Sequence, residues 1–246
     1  MSIEIPNIVA ELRERYPRCF EPEPTEPPED RAARERFEGE VRRREDLCRR
    51  RREWETIVAR FGRRAEDFSL DTFEVTDPAQ RTVVDALRRY AGAAAENIAA
   101  GRNIVLYGGV GSGKTHLLFG TAREILRREF HTFAWICGAE FAGQCRDVID
   151  NEGTEDSLIR RWARPDVLLL DDPIPAIGPL SPFQAAQLGR VIDARYRALR
   201  PTFASMNARS GKQADEVLGA PLVDRLRDNA LCLACTWPSH RRPSPN

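Results

Sequence analysis

Apolar and polar positions change their pattern near residue 67 of this 246-residue chain. Before that point the sequence is charged and poor in aliphatic residues, and its sparse apolar spacing predicts one long helix over 31–61. After it, short apolar runs alternate with helical periodicity, which predicts a parallel sheet with helices on both faces. The predicted strands are 103–107, 132–137, 166–170, 202–205 and 231–236, and the predicted helices downstream of residue 67 are 78–100, 116–128, 139–149, 154–162, 181–199 and 215–230.

The same change of pattern divides the chain into a helical, charged region at 1–66 and an α/β domain at 67–246. Within the first region we predict a short helix at 7–16 and an extended Pro/Glu linker at 21–30, which holds four prolines and five acids. The apolar stripe of helix 31–61 is too thin to form its own core. It therefore needs a partner surface.

Two arginine runs, 42–44 and 49–52, lie on the predicted long helix. They either contact nucleic-acid phosphates or an acidic protein, or they form a solvated face. In the second case they pair with the acids of the same helix, which are Glu38, Glu45, Asp46, Glu53 and Glu55.

Composition restricts the possibilities only in part. The hydrophobic content of 41% supports a sizeable core, and the formal net charge of zero gives no global indication of nucleic-acid or membrane binding. Neither a membrane span nor a signal peptide is evident, so we expect a cytoplasmic protein without a membrane partner. Of the six cysteines only Cys232 and Cys235 have metal-like spacing, and without a second pair we expect packed thiols in a buried strand.

Candidate chemistry begins at residues 108–115, which fit the phosphate-binding pattern G-x-x-x-x-G-K-[ST] between a predicted strand and a predicted helix. Lys114, one of only two lysines, would reach the β- and γ-phosphates, and the Thr115 hydroxyl would bind Mg²⁺. The residues predicted to hold the nucleotide are Gly108, Gly109, Val110, Gly111, Ser112, Gly113, Lys114, Thr115 and His116.

Polar residues at later strand ends complete this pattern. The apolar strand at 166–170 runs into Asp171, predicted to hold Mg²⁺ through water, and Asp172, predicted to polarise the attacking water. Asn207 follows the next strand, where it either positions that water or suits a turn. On a later helix, Arg225 either stabilises phosphates of a neighbouring subunit or forms a surface salt bridge. Arg241 either folds back onto the nucleotide or belongs to a solvated tail.

The order of these parts resembles the AAA+ ATPases, and among them the DnaC/IstB family of helicase loaders and transposition helper ATPases. The resemblance covers about residues 67–242 and depends on the segments 108–117, 168–172, 192–196, 201–207, 224–226 and 239–241. It implies a P-loop NTPase fold of the AAA+/ASCE type without a C-terminal lid domain. It also implies that Asn207 is sensor 1, Arg225 an inter-subunit arginine finger and Arg241 sensor 2. Asp172 stands where many AAA+ proteins have Glu, although an Asp pair is common in the DnaC/IstB family. The chain departs from the usual pattern in reading Ser-Met-Asn at sensor 1 and in having His240 in place of Tyr.

By this resemblance the protein is a Mg²⁺-dependent ATPase that loads a replicative helicase during DNA replication. Region 1–66 would bind the partner protein, the chain would self-assemble, and single-stranded DNA would lie along Arg160, Arg161 and Arg164. A first alternative is a transposition helper ATPase with a transposase partner, and a second is a nucleotide-state adaptor with little hydrolysis. A third, a small-molecule P-loop kinase, needs an arginine-rich lid, which 173–190 does not offer.

Overall fold

A computed structural model describes residues 31–150, 154–174, 180–208 and 211–240. Its strands are β1 Ile104–Gly108, β2 Phe133–Cys137, β3 Val167–Asp171, β4 Thr202–Met206 and β5 Leu231–Cys235. Its α-helices are α1 Arg31–Phe61, α2 Pro78–Gly92, α3 Ala94–Ala99, α4 Lys114–Arg128, α5 Gly138–Asp150, α6 Glu155–Ala163, α7 Pro182–Arg197, α8 Gly211–Leu218 and α9 Ala220–Arg227. The predicted helix at 7–16 and the linker at 21–30 lie outside the described residues. None of the described helices is long and apolar enough to span a membrane.

The strands form one parallel sheet in the order β2-β3-β4-β1-β5. After β1 the chain crosses to the far edge of the sheet, at β2, and β3 and β4 then fill the positions back towards β1. The last strand, β5, lies on the other side of β1, so the direction in which strands are added reverses at β1. Ligands of such sheets bind in the crevice at the carboxyl ends of the strands beside this switch point. The P-loop predicted after β1 therefore lies where the topology places a binding crevice.

Both faces of the sheet are covered, so β3 and β4 are buried at every position and β1 at every position except Tyr107. Alternate residues of each strand enter different cores, as Ile104 and Leu106 do on one face and Val105 on the other. The first core is closed by α1, α2 and α4, and the second by α5 to α9. The predicted α/β class is confirmed by this arrangement.

Helix α1 packs on the α/β domain along its last two turns. Trp54, Ile57 and Val58 are at most 4% exposed and belong to the first core. One residue before Trp54, the Glu53 carboxylate accepts a hydrogen bond from the backbone N–H of Phe133, at the start of edge strand β2. The apolar stripe that needed a partner surface thus finds one in the chain's own α/β domain, and α1 covers an otherwise exposed sheet edge.

The arginines of α1 are largely engaged by neighbouring acids at helical spacing. The pairs within the helix are Arg34–Glu38, Arg42–Glu38, Arg43–Glu40, Arg50–Asp46 and Arg51–Glu55. Arg49 stacks its guanidinium 4.1 Å from the centre of the Phe130 ring. These contacts favour the paired, solvated helix face over a nucleic-acid interface, although Glu53 caps β2 instead of pairing with arginine.

Two helices that were predicted to be continuous are each broken into two. The helix predicted at 78–100 breaks at Ala93, whose φ of −117° and ψ of 38° are non-helical, and it continues as α3. The helix predicted at 215–230 starts earlier, at Gly211, and breaks at Gly219, whose φ of 89° is in the left-handed region. Pro221 then follows in the first turn of α9, where a missing N–H costs nothing.

The prediction of a buried last strand is also wrong. β5 lies at the sheet edge beside β1 and alternates between partly buried and exposed residues. Cys235 is fully buried in the first core, as expected for a packed thiol, whereas Cys232 is exposed. Residues three apart in a strand point to opposite faces, so these two thiols do not converge on one metal ion.

A buried arginine, Arg195, binds the segments that enter the sheet at the amino ends of β3 and β4. Arg195 of α7 is 1% exposed, and its guanidinium donates to several backbone carbonyls and to the Thr202 hydroxyl. The carbonyls belong to Trp162, Ala163, Pro165, Asp166 and Pro201, at 2.6 to 3.4 Å. Burial lowers its pKa. The arginine provides hydrogen-bond donors for backbone carbonyls that precede β3 and β4. These carbonyls lie at the opposite end of the strands from the crevice, so the role of Arg195 is structural.

Candidate functional site

The carboxyl ends of β1, β3 and β4 bring the predicted polar residues together. Parallel register pairs Asp171 with Ser205 across β3 and β4, so both side chains project from the same face. The Ser205 hydroxyl donates to the Asp171 carboxylate at 2.6 Å. Asp172 and Asn207 follow just past the two strand ends. Strand register alone therefore assembles one acidic cluster from segments more than thirty residues apart.

The P-loop wraps in front of α4 with glycines where a side chain does not fit. Gly111 and Gly113 have φ values of 81° and 85°, in the left-handed region that glycine tolerates. A Cβ on Gly113 would also come within 2.6 Å of the Phe73 ring. The loop delivers the chain into α4 at Lys114, two residues earlier than predicted, and so leaves the first-turn amides facing the crevice.

The C-terminal segment after β5 supports the P-loop from outside. The indole Nε1 of Trp237 donates to the Ser112 carbonyl at 2.8 Å, and the backbone N–H of His240 donates to the Gly111 carbonyl at 2.9 Å. Trp237 is 7% exposed and belongs to the first core. The loop conformation is therefore tied to the core as well as to its own glycines.

Lys114 is the cation at the centre of the loop. Its side chain is buried, and Nζ donates to the carbonyls of Gly108 at 3.0 Å and Gly109 at 2.7 Å. These carbonyls hold the ammonium group directly under the loop, where a phosphate bound by the loop amides would meet it. A lysine ammonium acts there as a compact point charge.

Thr115 and Asp171 form an oxygen pair suited to Mg²⁺. The Thr115 hydroxyl donates to Asp171 Oδ1 at 2.8 Å, and Ser205 donates to the same oxygen. Hydroxyl and carboxylate oxygens are the type of ligand that Mg²⁺ prefers, directly or through water. In the described residues no cluster of three or more His, Cys, Asp or Glu could hold a metal alone. The residues thus fit an ion that draws further ligands from phosphates and water.

Asp172 is the second acid, and Asn207 binds both of its oxygens. The backbone N–H of Asn207 donates to Oδ1 at 3.3 Å, and its carboxamide donates to Oδ2. Asp172 has a φ of 47°, an unusual value for a residue other than glycine, which aims the carboxylate into the crevice. Burial raises the pKa of Asp172, as does the charge of Asp171, while the hydrogen bonds from Asn207 lower it. A carboxylate whose pKa is raised in a cleft suits a general base.

His116 does not point its ring at the P-loop. The ring stacks on Phe68 at 4.6 Å, and Nε2 lies 2.8 Å from the Ser69 carbonyl. Because a carbonyl only accepts, Nε2 carries the proton. Burial lowers the pKa of His116, which keeps the imidazole neutral. His116 still lines the crevice, so its predicted nucleotide contact stays a prediction.

A cleft of about 760 Å³ opens over these groups. It is lined by Lys114, Thr115, Asp171, Asp172 and Asn207, which are all predicted site residues. Five side chains that were not predicted as site residues also line it, namely Phe61, Arg64, Phe68, Ser205 and His240. Only Ser205 had a usable signal in the sequence, since it stands two residues before Asn207 in a strand that ends beside β3. Phe61 and Arg64 come from region 1–66, which composition separated from the domain. Phe68 lies just after that boundary, and His240 follows β5.

Arg225 lies elsewhere. Its Nε is 3.1 Å from Asp193, and Nη1 donates to the Pro221 carbonyl, on a separate surface hollow that also includes Tyr196 and Asp228. It does not line the nucleotide cleft of its own chain. This position accords with an action across a subunit interface, which stays a prediction. Arg241 lies outside the described residues.

The arginines predicted to bind DNA are exposed on and just after α6. Arg160, Arg161 and Arg164 point into solvent, while the acids at the start of α6, Glu155 and Asp156, pair with Arg190 of α7. These three arginines therefore form an exposed basic face that the acids of α6 do not neutralise, and DNA binding by this face stays a prediction.

Comparison with known proteins places this geometry in a family. The model of the IstB-like ATP binding protein family matches residues 19–243. The chain is 26% identical over 179 residues to the replicative helicase loader DnaC of Buchnera aphidicola subsp. Acyrthosiphon pisum, covering 71% of this chain and 69% of the relative. It is 30% identical over 145 residues to an ATP-binding protein of insertion sequence IS5376 from Geobacillus stearothermophilus, covering 56% and 55%.

The fold has solved counterparts. The crystal structure of the DnaC helicase loader matches with a TM-score of 0.62 at 22% identity, over 70% of this chain and 99% of that chain. At this identity the likeness demonstrates the fold alone, and it confirms the predicted P-loop sheet. Since the family match spans most of the sequence, including the P-loop and both strand-end acids, the chain belongs to the IstB-like ATP-binding protein family.

Proposed function

We propose that this protein hydrolyses ATP with Mg²⁺ and uses the cycle to control an assembly on DNA. The observation that carries the proposal is the convergence of Lys114, Thr115, Asp171, Asp172 and Asn207 in one cleft. The family match supports nucleotide binding. Hydrolysis is supported by the second acid, because nucleotide binding alone has no use for a carboxylate with a raised pKa beside an amide.

Each residue has a distinct part in the proposed reaction. The P-loop amides and Lys114 bind the phosphates and offset their charge, while Thr115 and Asp171 would hold the metal. Mg²⁺, when bound, would supply positive charge that offsets the negative charge developing on the phosphates. Asp172 accepts a proton from the attacking water, and Asn207 fixes the orientation of that carboxylate through its two hydrogen bonds.

The position of Arg225 supports the proposed self-assembly. A guanidinium that lies outside its own cleft can stabilise transition-state charge only in a neighbouring subunit. The partly exposed side chain is held by a single carboxylate, that of Asp193, at 3.1 Å. A partner phosphate could replace such a surface ion pair at little cost.

For the biological role we propose a helicase loader, which acts with a replicative helicase and single-stranded DNA. Support comes from the DnaC relative, whose match spans 71% of this chain. The exposed arginines of α6 offer a phosphate-binding face. A transposition helper acting with a transposase is the second candidate, because the insertion-sequence relative reaches 30% identity.

The test measures ATP turnover and mass by light scattering, with and without single-stranded DNA, for wild type, Lys114→Ala and Arg225→Ala. The proposal expects DNA-stimulated hydrolysis in an oligomer and its loss in both variants, with ATP binding lost only in Lys114→Ala. A monomer that ignores DNA and tolerates Arg225→Ala would instead support a nucleotide-state adaptor. Mixing the protein with a purified replicative helicase or a transposase then separates the two roles by which complex forms.

A further inference from the structure

Arg64 is an exposed arginine on the wall of the nucleotide cleft. It lies in a short 3-10 helix, Arg63–Ala65, between α1 and the first core. Its side chain shares the lining of the cleft with Lys114, Asp171 and Asp172. Among the described residues the guanidinium has no ion-pair partner, whereas most arginines of α1 have one. All of its donors are thus available to a ligand.

The backbone around Arg64 is fixed although its side chain is in solvent. Gly62, with a φ of 106°, ends α1 and donates to the Val58 carbonyl at 2.8 Å. Ala65 is fully buried and its N–H returns to the Gly62 carbonyl. On the other side, Arg123 donates to the carbonyls of Glu66 and Phe68 at 3.2 and 3.3 Å. A guanidinium on such a frame loses little backbone freedom when it binds.

The end of α1 approaches the cleft from the side of Asp172. Phe61 packs at 5.2 Å on Trp135 of β2, the edge strand next to β3. Arg60 forms an ion pair with Glu140 in the first turn of α5. That turn adjoins the Asp172 peptide, since a Cβ on Gly138 would come within 2.5 Å of the Asp172 carbonyl. At the P-loop end of the cleft the lining includes His240, whose backbone N–H donates to the Gly111 carbonyl at 2.9 Å.

The charges in the cleft favour a second cation at this end. ATP brings four negative charges to a site that already holds the carboxylates of Asp171 and Asp172, whereas Lys114 and one Mg²⁺ supply three positive ones. A guanidinium also presents a planar fork that matches phosphate oxygens. We propose that Arg64 is a further nucleotide-binding residue, which contacts the terminal phosphate of ATP bound in its own subunit. This inference rests on the proposed nucleotide function.

The experiment is isothermal titration calorimetry on the whole chain with Mg²⁺ and either ADP or a non-hydrolysable ATP analogue. Arg64→Gln should weaken binding of the ATP analogue about tenfold, the value of one charge-assisted hydrogen bond discounted for exposure, and that of ADP by less than about threefold. The matched control is Arg63→Gln, which removes an equally exposed charge from the same turn outside the cleft. Both affinities should then stay within about twofold of wild type.

Several outcomes are decisive. Unchanged affinity of Arg64→Gln for the ATP analogue would overturn the proposal, and so would an equal loss for both nucleotides or an equal loss in Arg63→Gln. Arg64→Lys should regain part of the affinity if charge and reach both matter, and thermal unfolding of each variant confirms that it is folded. A wild-type chain that binds neither nucleotide would refute the proposed function itself, a result distinct from selective loss in one variant.

Discussion

The contact between Asn207 and Asp172 predicts how the pH dependence of turnover responds to mutation. Burial holds the pKa of Asp172 above its usual range, and hydrogen bonds from Asn207 act against this shift. Asn207→Ala removes the carboxamide bond and leaves the backbone N–H bond at 3.3 Å in place. The ionised carboxylate loses a donor, so its pKa rises further. A general base works only when ionised, and the acid limb of the rate profile must therefore move to higher pH.

The size of the shift follows from the bond that is lost. A hydrogen bond to a charged group contributes about 1.5–3 kcal/mol, and one pKa unit corresponds to about 1.36 kcal/mol. Water can replace part of this contact because Asp172 is only half-buried. We therefore expect a shift of about one unit for Asn207→Ala. Asn207→Asp should shift the limb further, since it puts a second negative charge where the donor was.

The assay is kcat as a function of pH at saturating MgATP, with circular dichroism at each pH to show that the chain stays folded. The order of the acid limbs should be wild type, Asn207→Ala, Asn207→Asp, from low to high pH. Asn97→Ala serves as control, because its carboxamide donates to the Tyr90 carbonyl, remote from the cleft. If Asn207→Ala lowers kcat without moving the limb, Asp172 is not the titrating base and the assigned mechanism is wrong.

Three further predictions concern the loop and the fold. Gly113→Ala should abolish measurable ATP binding in calorimetry, because the left-handed φ and the nearby aromatic ring both reject a Cβ. Arg195→Ala should lower the free energy of unfolding in urea by about 3–5 kcal/mol by leaving buried carbonyls unpaired, whereas the exposed Arg197→Ala should cost less than about 1 kcal/mol. Trp237→Phe should weaken ATP binding by about fivefold without unfolding the chain, since Ser112 then loses a loop-fixing donor. Unchanged values for any variant in its assay would contradict the corresponding contact.

The parts of the site that the sequence predicts correctly are those with a local cause. The P-loop lies between β1 and α4 because its glycines and the flanking apolar runs determine the backbone within about a dozen residues. Asp171 and Asn207 converge for an equally simple reason, since both stand at carboxyl ends of parallel strands. The only further requirement is that β3 and β4 lie next to each other in the sheet, and strands that follow one another in the chain usually do.

What the sequence does not predict depends on contacts with distant segments. The break at Ala93 directly follows Gly92, but an isolated glycine in a helical pattern does not by itself end a helix. The sequence does not show that Arg195 is buried, because its burial depends on α7 packing over the segments that precede β3 and β4. Exposure of Cys232 follows from β5 being an edge strand. Apolar composition alone suits an interior strand equally well.

The N-terminal segment is where composition and packing diverge most. Its charge and linker distinguish 1–66 from the rest of the chain, and partner binding by that region stays a prediction. Yet Trp54, Ile57 and Val58 are buried in the first core, and Phe61 reaches the cleft wall. The compositional boundary therefore does not coincide with a gap in packing. A partner that binds α1 would bind a helix whose last turn borders the cleft, so partner binding and nucleotide binding would involve one continuous element.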